Sequence, residues 1–294
     1  EEDNEMKRIL AMLTALMLLC GGALAECPKL STEEDPWVDG STATLPLSYA
    51  LMQQVCGVSE EEAKIAITHT KTTESFYALV DGAADLLLVY APEASALEYA
   101  EDRGEELLMQ PITRDALVFL VNADNPVTSL SQEEAVGIYS GEITNWSEVG
   151  GEDRPIVAYQ RVEASGSQVM MRAQVMKDVE MMDAPTELRP GEMGELIDRV
   201  ASYKNTANAI GYSVYYYAHN MYAQDGVRLL AIDGVQPSNE TIASGEYPYC
   251  QDVYAVIRAD EPEDSPARIL FDYLQTEECR DLIEAAGYVR LAAQ

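Results

Sequence analysis

Two short apolar runs place the tightest limit on how this chain folds: residues 85–90 (DLLLVY), apolar after the first position, and residues 116–121 (ALVFLV). Neither alternates polar and apolar side chains, and both are too short to cross a bilayer. Runs of this kind are strands covered on both faces. Segments of helical period lie between them. Residues 46–55 carry apolar side chains at Leu47, Ala50, Leu51 and Val55 and stop at Gly57, and residues 166–176 turn Val169, Met170, Ala173 and Met176 to one side. Residues 73–80 and 267–274 read as further helices, and 65–68, 155–159, 209–212 and 253–257 as further strands. The alternation predicts an α/β fold of mostly parallel sheets with helices on both faces. At roughly 150 residues per domain, 294 residues make about two domains.

Composition narrows the partners. Hydrophobic residues make up 47% and charged residues 24%, the balance of a chain with a sizeable core. Asp and Glu number 51 against 19 Lys and Arg, a net charge of -32. That field disfavours nucleic acid and anionic lipid, and it repels small anions at long range as well. An anion site on this chain therefore has to work through close, directed hydrogen bonds. Tyrosine outnumbers phenylalanine 17 to 3, which suits half-buried walls that need an apolar ring with a polar tip.

Residues 1–25 read as an export leader. Met6, Lys7 and Arg8 are the basic start, residues 9–19 the apolar stretch, and Ala23-Leu24-Ala25 the small-x-small cleavage site. Neither Cys20 nor Cys27 follows a small residue, as lipid attachment requires, so cleavage after Ala25 is the expected processing. Cys27, Cys56, Cys250 and Cys279 remain, an even number that in an exported chain suggests disulfides. Proximity in sequence favours Cys27–Cys56 and Cys250–Cys279. No C-x-x-C pair is present, so neither zinc nor redox chemistry is expected.

Three places share one design, a Gly/Ser/Thr loop that runs straight into a helix: residues 39–46 (DGSTATLP), 70–73 (TKTT) and 165–167 (SGS). A helix start exposes unpaired N–H groups and about half a positive charge, and neighbouring hydroxyls add donors. Any one such junction alone is ordinary capping. The third is sharper because Arg161 precedes it by four residues, and a guanidinium offers a planar fork of donors to an oxyanion.

Six segments in order over nearly the whole chain beyond the leader resemble the PstS-like phosphate-binding components of ABC transporters. They are residues 39–47 (DGSTATLPL), 82–86 (GAADL), 138–151 (IYSGEITNWSEVGG), 161–167 (RVEASGS), 209–212 (AIGY) and 237–249 (PSNETIASGEYPY). The resemblance implies a two-domain periplasmic-binding-protein-like fold of type II, with crossover strands and a ligand cleft between the domains. It implies domain 1 over residues 26–115 and 221–294 and domain 2 over 116–220. Carried over by motif, the phosphate ligands are Thr44 and the Leu45 N–H in the first loop, Thr72 in the second, Asp85, and Arg161, Ser165, Gly166 and Ser167 in the third. Ser41, Thr42 and Thr44 all offer hydroxyls in the first loop, which leaves two registers open there. Ser167 stands where the family usually has threonine and keeps the hydroxyl. Asp85 would face the ligand and accept a proton-bearing oxygen, so phosphate would bind and sulfate would be refused.

The implied function is capture of inorganic phosphate outside the cytoplasm for import through an ABC-transporter permease. The chain is expected to act as a monomer, without cofactor or metal and without nucleic-acid partners. The alternatives are another oxyanion or a phosphonate as ligand, or a surface protein that senses phosphate without transport. An enzyme is disfavoured. The chain has two histidines, His69 and His219, and lacks a G-x-S-x-G elbow, an H-E-x-x-H helix and a Walker A loop.

Overall fold

The computed structural model describes residues 27–163, 165–202 and 207–291. The leader expected at residues 1–25 lies outside them. Nine strands are described: β1 Val38–Gly40, β2 Leu86–Tyr90, β3 Leu107–Asn122, β4 Ser129–Leu130, β5 Val157–Ala158, β6 Ala209–Val214, β7 Val227–Leu229, β8 Ala231–Ile232 and β9 Cys250–Arg258. The α-helices are α1 Leu45–Cys56, α2 Glu60–Ala66, α3 Thr72–Val80, α4 Ala94–Arg103, α5 Gln132–Ser140, α6 Gly166–Met170, α7 Met193–Ala201, α8 Asn239–Ser244, α9 Pro266–Tyr273 and α10 Glu277–Ala285.

The expected apolar runs are the sheet's centre. All five residues of β2 are buried, and the pleat divides them: Leu86, Leu88 and Tyr90 join the main core, while Leu87 and Val89 pack with Phe76, Leu79 and Ala96 of α3 and α4. The second run is the far end of a 16-residue strand, β3. Its first part pairs antiparallel with β9, from Leu107↔Arg258 to Ala116↔Cys250, with an irregularity between Pro111 and Thr113. Its second part pairs with β6, from Leu117↔Val214 to Val121↔Ile210, and with β7. One strand thus carries the chain from one half of the molecule into the other.

The sheet order is β1-β2-β9-β3-β6-β5 with β7 beside β3, and β4 and β8 form a separate pair. Only β1–β2, β4–β8 and β5–β6 are parallel, and the other four pairings are antiparallel. The sheets are therefore mixed rather than mostly parallel. The two long crossover strands, β3 and β9, run against their neighbours, and sequence alternation carries no sign for strand direction. The expected return to the first half at residue 221 is also displaced. β7 pairs with Leu120–Asn122 of β3 and β8 with β4, so residues 227–232 belong with the second half, and the chain crosses back where Leu117 N–H meets Tyr249 O at 2.9 Å.

Two local readings change. Residues 65–68 were expected as a strand, but α2 runs through Ala66, because Ser59 and Glu62 form a reciprocal capping box and acidic residues fill its first turn. The helix that starts at Gly166 passes into a π-turn over Met171–Met176. By contrast, α1 ends as read, at Gly57 in the left-handed conformation (φ 70°). The four described cysteines are free thiols, so the expected pairs are not made. Cys250 Sγ turns to the Tyr247 carbonyl at 3.0 Å, while Cys279 is buried on α10 with Cys27 among the groups acting on its thiol.

Phe119 lies in the second part of β3, fully buried, with its ring 5.8 Å from Tyr139 and 6.1 Å from Tyr249. Phe119→Ala should lower stability by about 3–5 kcal/mol, read as a shift in the urea midpoint at unchanged slope. A loss under about 1 kcal/mol would show that this crossing is not a close-packed part of the core.

Candidate functional site

The three loop-to-helix junctions meet. β1 ends at Gly40, where a Cβ would lie 1.9 Å from the Leu88 carbonyl oxygen, so only glycine lets the chain turn beside β2. A 3₁₀ turn over Thr42–Thr44 then leads into α1. Asp39 braces this turn to the second junction: Oδ1 accepts from Gly40 N–H (2.6 Å) and Thr70 N–H (2.7 Å), and Oδ2 from the Thr70 hydroxyl (2.6 Å). Lys71 follows with a positive φ of 86°, and Thr72 opens α3. Ser41 Oγ and Thr72 Oγ1 share a hydrogen bond of 2.9 Å. The third junction closes from the other half of the molecule. A Cβ on Gly166 would approach Thr72 Oγ1 to 2.5 Å, so the glycine permits this contact. Ser165 and Ser167 are buried beside it with their hydroxyls 3.0 Å apart.

Between the junctions lies a small cavity of about 10 Å³, roughly the room of one water, lined by Ser41, Thr42, Ala43, Lys71, Thr72 and Tyr90 on one side and by Arg161, Ser165, Gly166, Ser167 and Met193 on the other. A larger hollow of about 380 Å³ lies beside α4 and is lined by Leu97, Glu101, Glu105, Glu106, Met109 and their neighbours. It presents carboxylates and no cation, so the smaller cavity is the anion candidate.

Arg161 is its central feature. The residue is 3% exposed and pairs with no carboxylate among the described residues. Its backbone N–H donates to the Tyr212 hydroxyl at 3.0 Å, which donates to Gln168, and Nη2 donates to the Gly191 carbonyl at 3.0 Å. Nε and Nη1 have no partner. Burial lowers the pKa of the guanidinium, and attraction from nearby groups including Glu192 and Glu195 offsets this only in part. At the rim, Lys71 Nζ meets Glu192 Oε1 at 3.0 Å, an ion pair between the two halves. Both partners are partly exposed, so its worth is small.

Of the expected ligands, Thr72, Arg161, Ser165, Gly166 and Ser167 are brought together. In the first loop the expected Thr44 and the Leu45 N–H are turned away from the cavity. Thr44 donates to the carbonyls of Ser41 (2.8 Å) and Leu88 (2.6 Å), and the Leu45 N–H donates to the Thr42 carbonyl, so both are spent inside the loop. Ser41, Thr42 and Ala43 face the cavity instead.

Asp85 is not at the site. It precedes β2, about 16 Å along the strand from Tyr90 at the cavity end. There it accepts from Trp37 N–H at 2.9 Å and faces Arg258 at 3.5 Å. The cleft forms at the carboxyl ends of β1 and β2, and a residue that begins a strand lies at the opposite edge. Tyr90 and Met193 were not foreseen. Tyr90 is marked by its place as the one polar-tipped residue ending an apolar run, whereas Met193 carries no signal. His69 is structural, with Nδ1 at 2.8 Å from the Ser41 carbonyl and Nε2 at 3.1 Å from Ser48 Oγ.

Behind the cavity, the Tyr90 hydroxyl donates to Asp115 Oδ2 at 2.7 Å, and Asp115 also accepts from the N–H groups of Ala116 (2.8 Å) and Tyr216 (3.1 Å). Asp115 thus ties the cavity wall to the crossover.

The cavity is lined from both sides of the β3 crossing, an arrangement found in two-lobed binding proteins. The signature of the PBP superfamily domain matches residues 31–276, and the chain belongs to that superfamily, a family of binding proteins rather than enzymes. Among similar curated proteins, a phosphate-binding protein PstS of Borreliella burgdorferi is 22% identical over 97% of this chain and 99% of its own length, and one of Bacillus subtilis is 25% identical over 98% and 94%. Among solved structures, an ABC-type phosphate transport receptor from Vibrio cholerae superposes with a TM-score of 0.64 at 23% identity, covering 86% of this chain and 98% of the other. A phosphate-binding protein from Stenotrophomonas maltophilia gives 0.61 at 13% identity, covering 88% and 91%. The architecture is that of the type II periplasmic binding proteins.

Burial outweighs the hydrogen bonds at Asp115 and pushes its carboxyl up to about 6 from an ordinary 3.8. The folded state then binds more protons than the unfolded chain between those values, so this group's contribution to stability falls as pH rises from about 4 to 6. Asp115→Asn removes that slope. The stability difference between variant and wild type should move by roughly 2 kcal/mol in the variant's favour between pH 4 and pH 7. Urea midpoints at the two pH values measure it, and a pH-independent difference would refute the shifted carboxyl.

Proposed function

We propose that this chain is an extracytoplasmic solute-binding protein that captures inorganic phosphate and delivers it to the permease of an ABC transporter. One observation carries the reading: a buried guanidinium with two free donors and no carboxylate partner, facing serine and threonine hydroxyls from three loop-to-helix junctions. A charge in that position is stabilised when an anion fills the gap. The relatives named phosphate-binding protein PstS support phosphate as that anion.

The proposed ligands are Ser41, Thr42 and Thr72 from one lobe and Arg161, Ser165, Gly166 and Ser167 from the other. The proposed lobes are residues 27–115 with 250–291, and residues 117–249, joined by the β3 and β9 crossings. A ligand held by both lobes favours their closed arrangement, a state that a permease distinguishes from the open one. The small cavity fits a closed arrangement, with entry through lobe opening. The leader reading of residues 1–25 places the protein outside the cytoplasm, and a monomer is sufficient for the cycle. No described helix is long and apolar enough to cross a membrane.

Calorimetric titration of phosphate into ligand-stripped protein at pH 7 should give a saturable, single-site heat. Arg161→Ala should weaken binding by at least about 100-fold, since charged hydrogen bonds contribute about 1.5–3 kcal/mol each and the guanidinium has two to offer. Unchanged affinity in the variant would remove Arg161, and with it the site, from the reading.

A further inference from the structure

Among the described residues, no group lining the cleft demands a proton on its ligand. Its lining supplies hydroxyls, a tyrosine, a methionine and two cations, with the helix starts of the three junctions beside them, and no Asp or Glu among the described residues lines it. The carboxylates around it are committed elsewhere. Both oxygens of Asp39 are taken by Gly40 and Thr70. Asp115 lies behind Tyr90, with its oxygens taken by the Tyr90 hydroxyl and by backbone N–H groups. Glu192 is at the rim, paired with Lys71. Asp85 is at the far end of β2, against Trp37 and Arg258.

This matters because of what each group accepts. A carboxylate within hydrogen-bond distance of an oxyanion only accepts, so it repels a ligand that has no proton to donate. A serine or threonine hydroxyl both donates and accepts and suits either protonation state. Guanidinium and backbone N–H groups only donate, and they favour a fully ionised oxygen. Every group facing this cavity is of the second or third kind or is apolar.

Resting on the oxyanion-binding reading above, we infer that the cleft accepts fully deprotonated tetrahedral oxyanions, with sulfate bound alongside phosphate instead of being refused. Selection here does not depend on the ligand's proton. The discrimination that Asp85 would have supplied is absent because the strand carries that residue away from the cleft.

The test titrates sulfate and phosphate separately into the ligand-stripped full chain at pH 8 and fixed ionic strength, then titrates phosphate into the sulfate-saturated protein. Sulfate is expected to bind within about tenfold of phosphate and to compete with it, a difference of about 1.4 kcal/mol or less. Arg161→Ala should weaken both anions together. If phosphate binds tightly and sulfate is weaker by about a thousandfold or more, as a like-charge contact imposes, the inference fails while the phosphate reading stands. If neither anion gives a saturable heat, the binding reading falls and takes this inference with it.

Discussion

The pairing of β3 with two different sets of partners organises this molecule. Residues 107–116 are held by β9, and the next residues by β6 and β7. A 16-residue antiparallel strand spans about 50 Å, enough to belong to two cores at once. Everything at the cleft depends on that continuity. Gly40, Thr72 and Tyr90 are positioned from the β1–β2 edge, and Arg161 and Ser165 from β5 beside β6. The two groups lie on opposite sides of a crossing in which β3 runs continuously from one edge to the other. Asp115, at the point where β3 changes partners, accepts hydrogen bonds from Tyr90 on one side and from the Tyr216 backbone on the other. A buried carboxylate in this place links the cavity wall to the crossing at the expense of its own solvation.

The second constraint is the buried charge at Arg161. Proteins seldom bury a guanidinium without a carboxylate, because desolvation is large and unmet donors add to it. Here the backbone network of Tyr212 and Gln168 fixes the arginine's main chain, and the Gly191 carbonyl holds one end of the fork, leaving Nε and Nη1 directed but unused. The proposed ligand would meet those two donors. The close approach at Gly166 brings the third junction against Thr72, so charge and neutral donors line the same small cavity.

A net charge of -32 surrounds this small positive interior. At physiological ionic strength the surface field is screened within about 8 Å, while directed bonds inside the cleft are screened far less. The acidic surface therefore governs solubility and encounter, and the cleft governs affinity. Among the described residues, carboxylates are kept out of the cavity lining by hydrogen bonds that occupy them elsewhere, as at Asp39, Asp115 and Glu192.

What the sequence by itself determined is local. The β2 and β3 runs, α1 with its stop at Gly57, the three glycine- and hydroxyl-rich junctions and the arginine before the third all follow from period, capping chemistry and backbone freedom, each acting over a few residues. The resemblance carried by 161–167 named four residues that line the cavity, Arg161, Ser165, Gly166 and Ser167, and the second loop added Thr72. Tertiary structure decided the rest. Whether Thr44 or Ser41 faces the cavity depends on the Leu88 carbonyl, which reaches the loop only when β1 lies beside β2. Asp85 does not line the cavity because the direction of β2 leaves the residue before it at the opposite edge of the sheet. The antiparallel crossings, the return near Tyr249 and the thiols left unpaired are likewise products of long-range pairing. Strand direction and the spatial order of strands are set by contacts among residues far apart in the chain, and no local pattern encodes them.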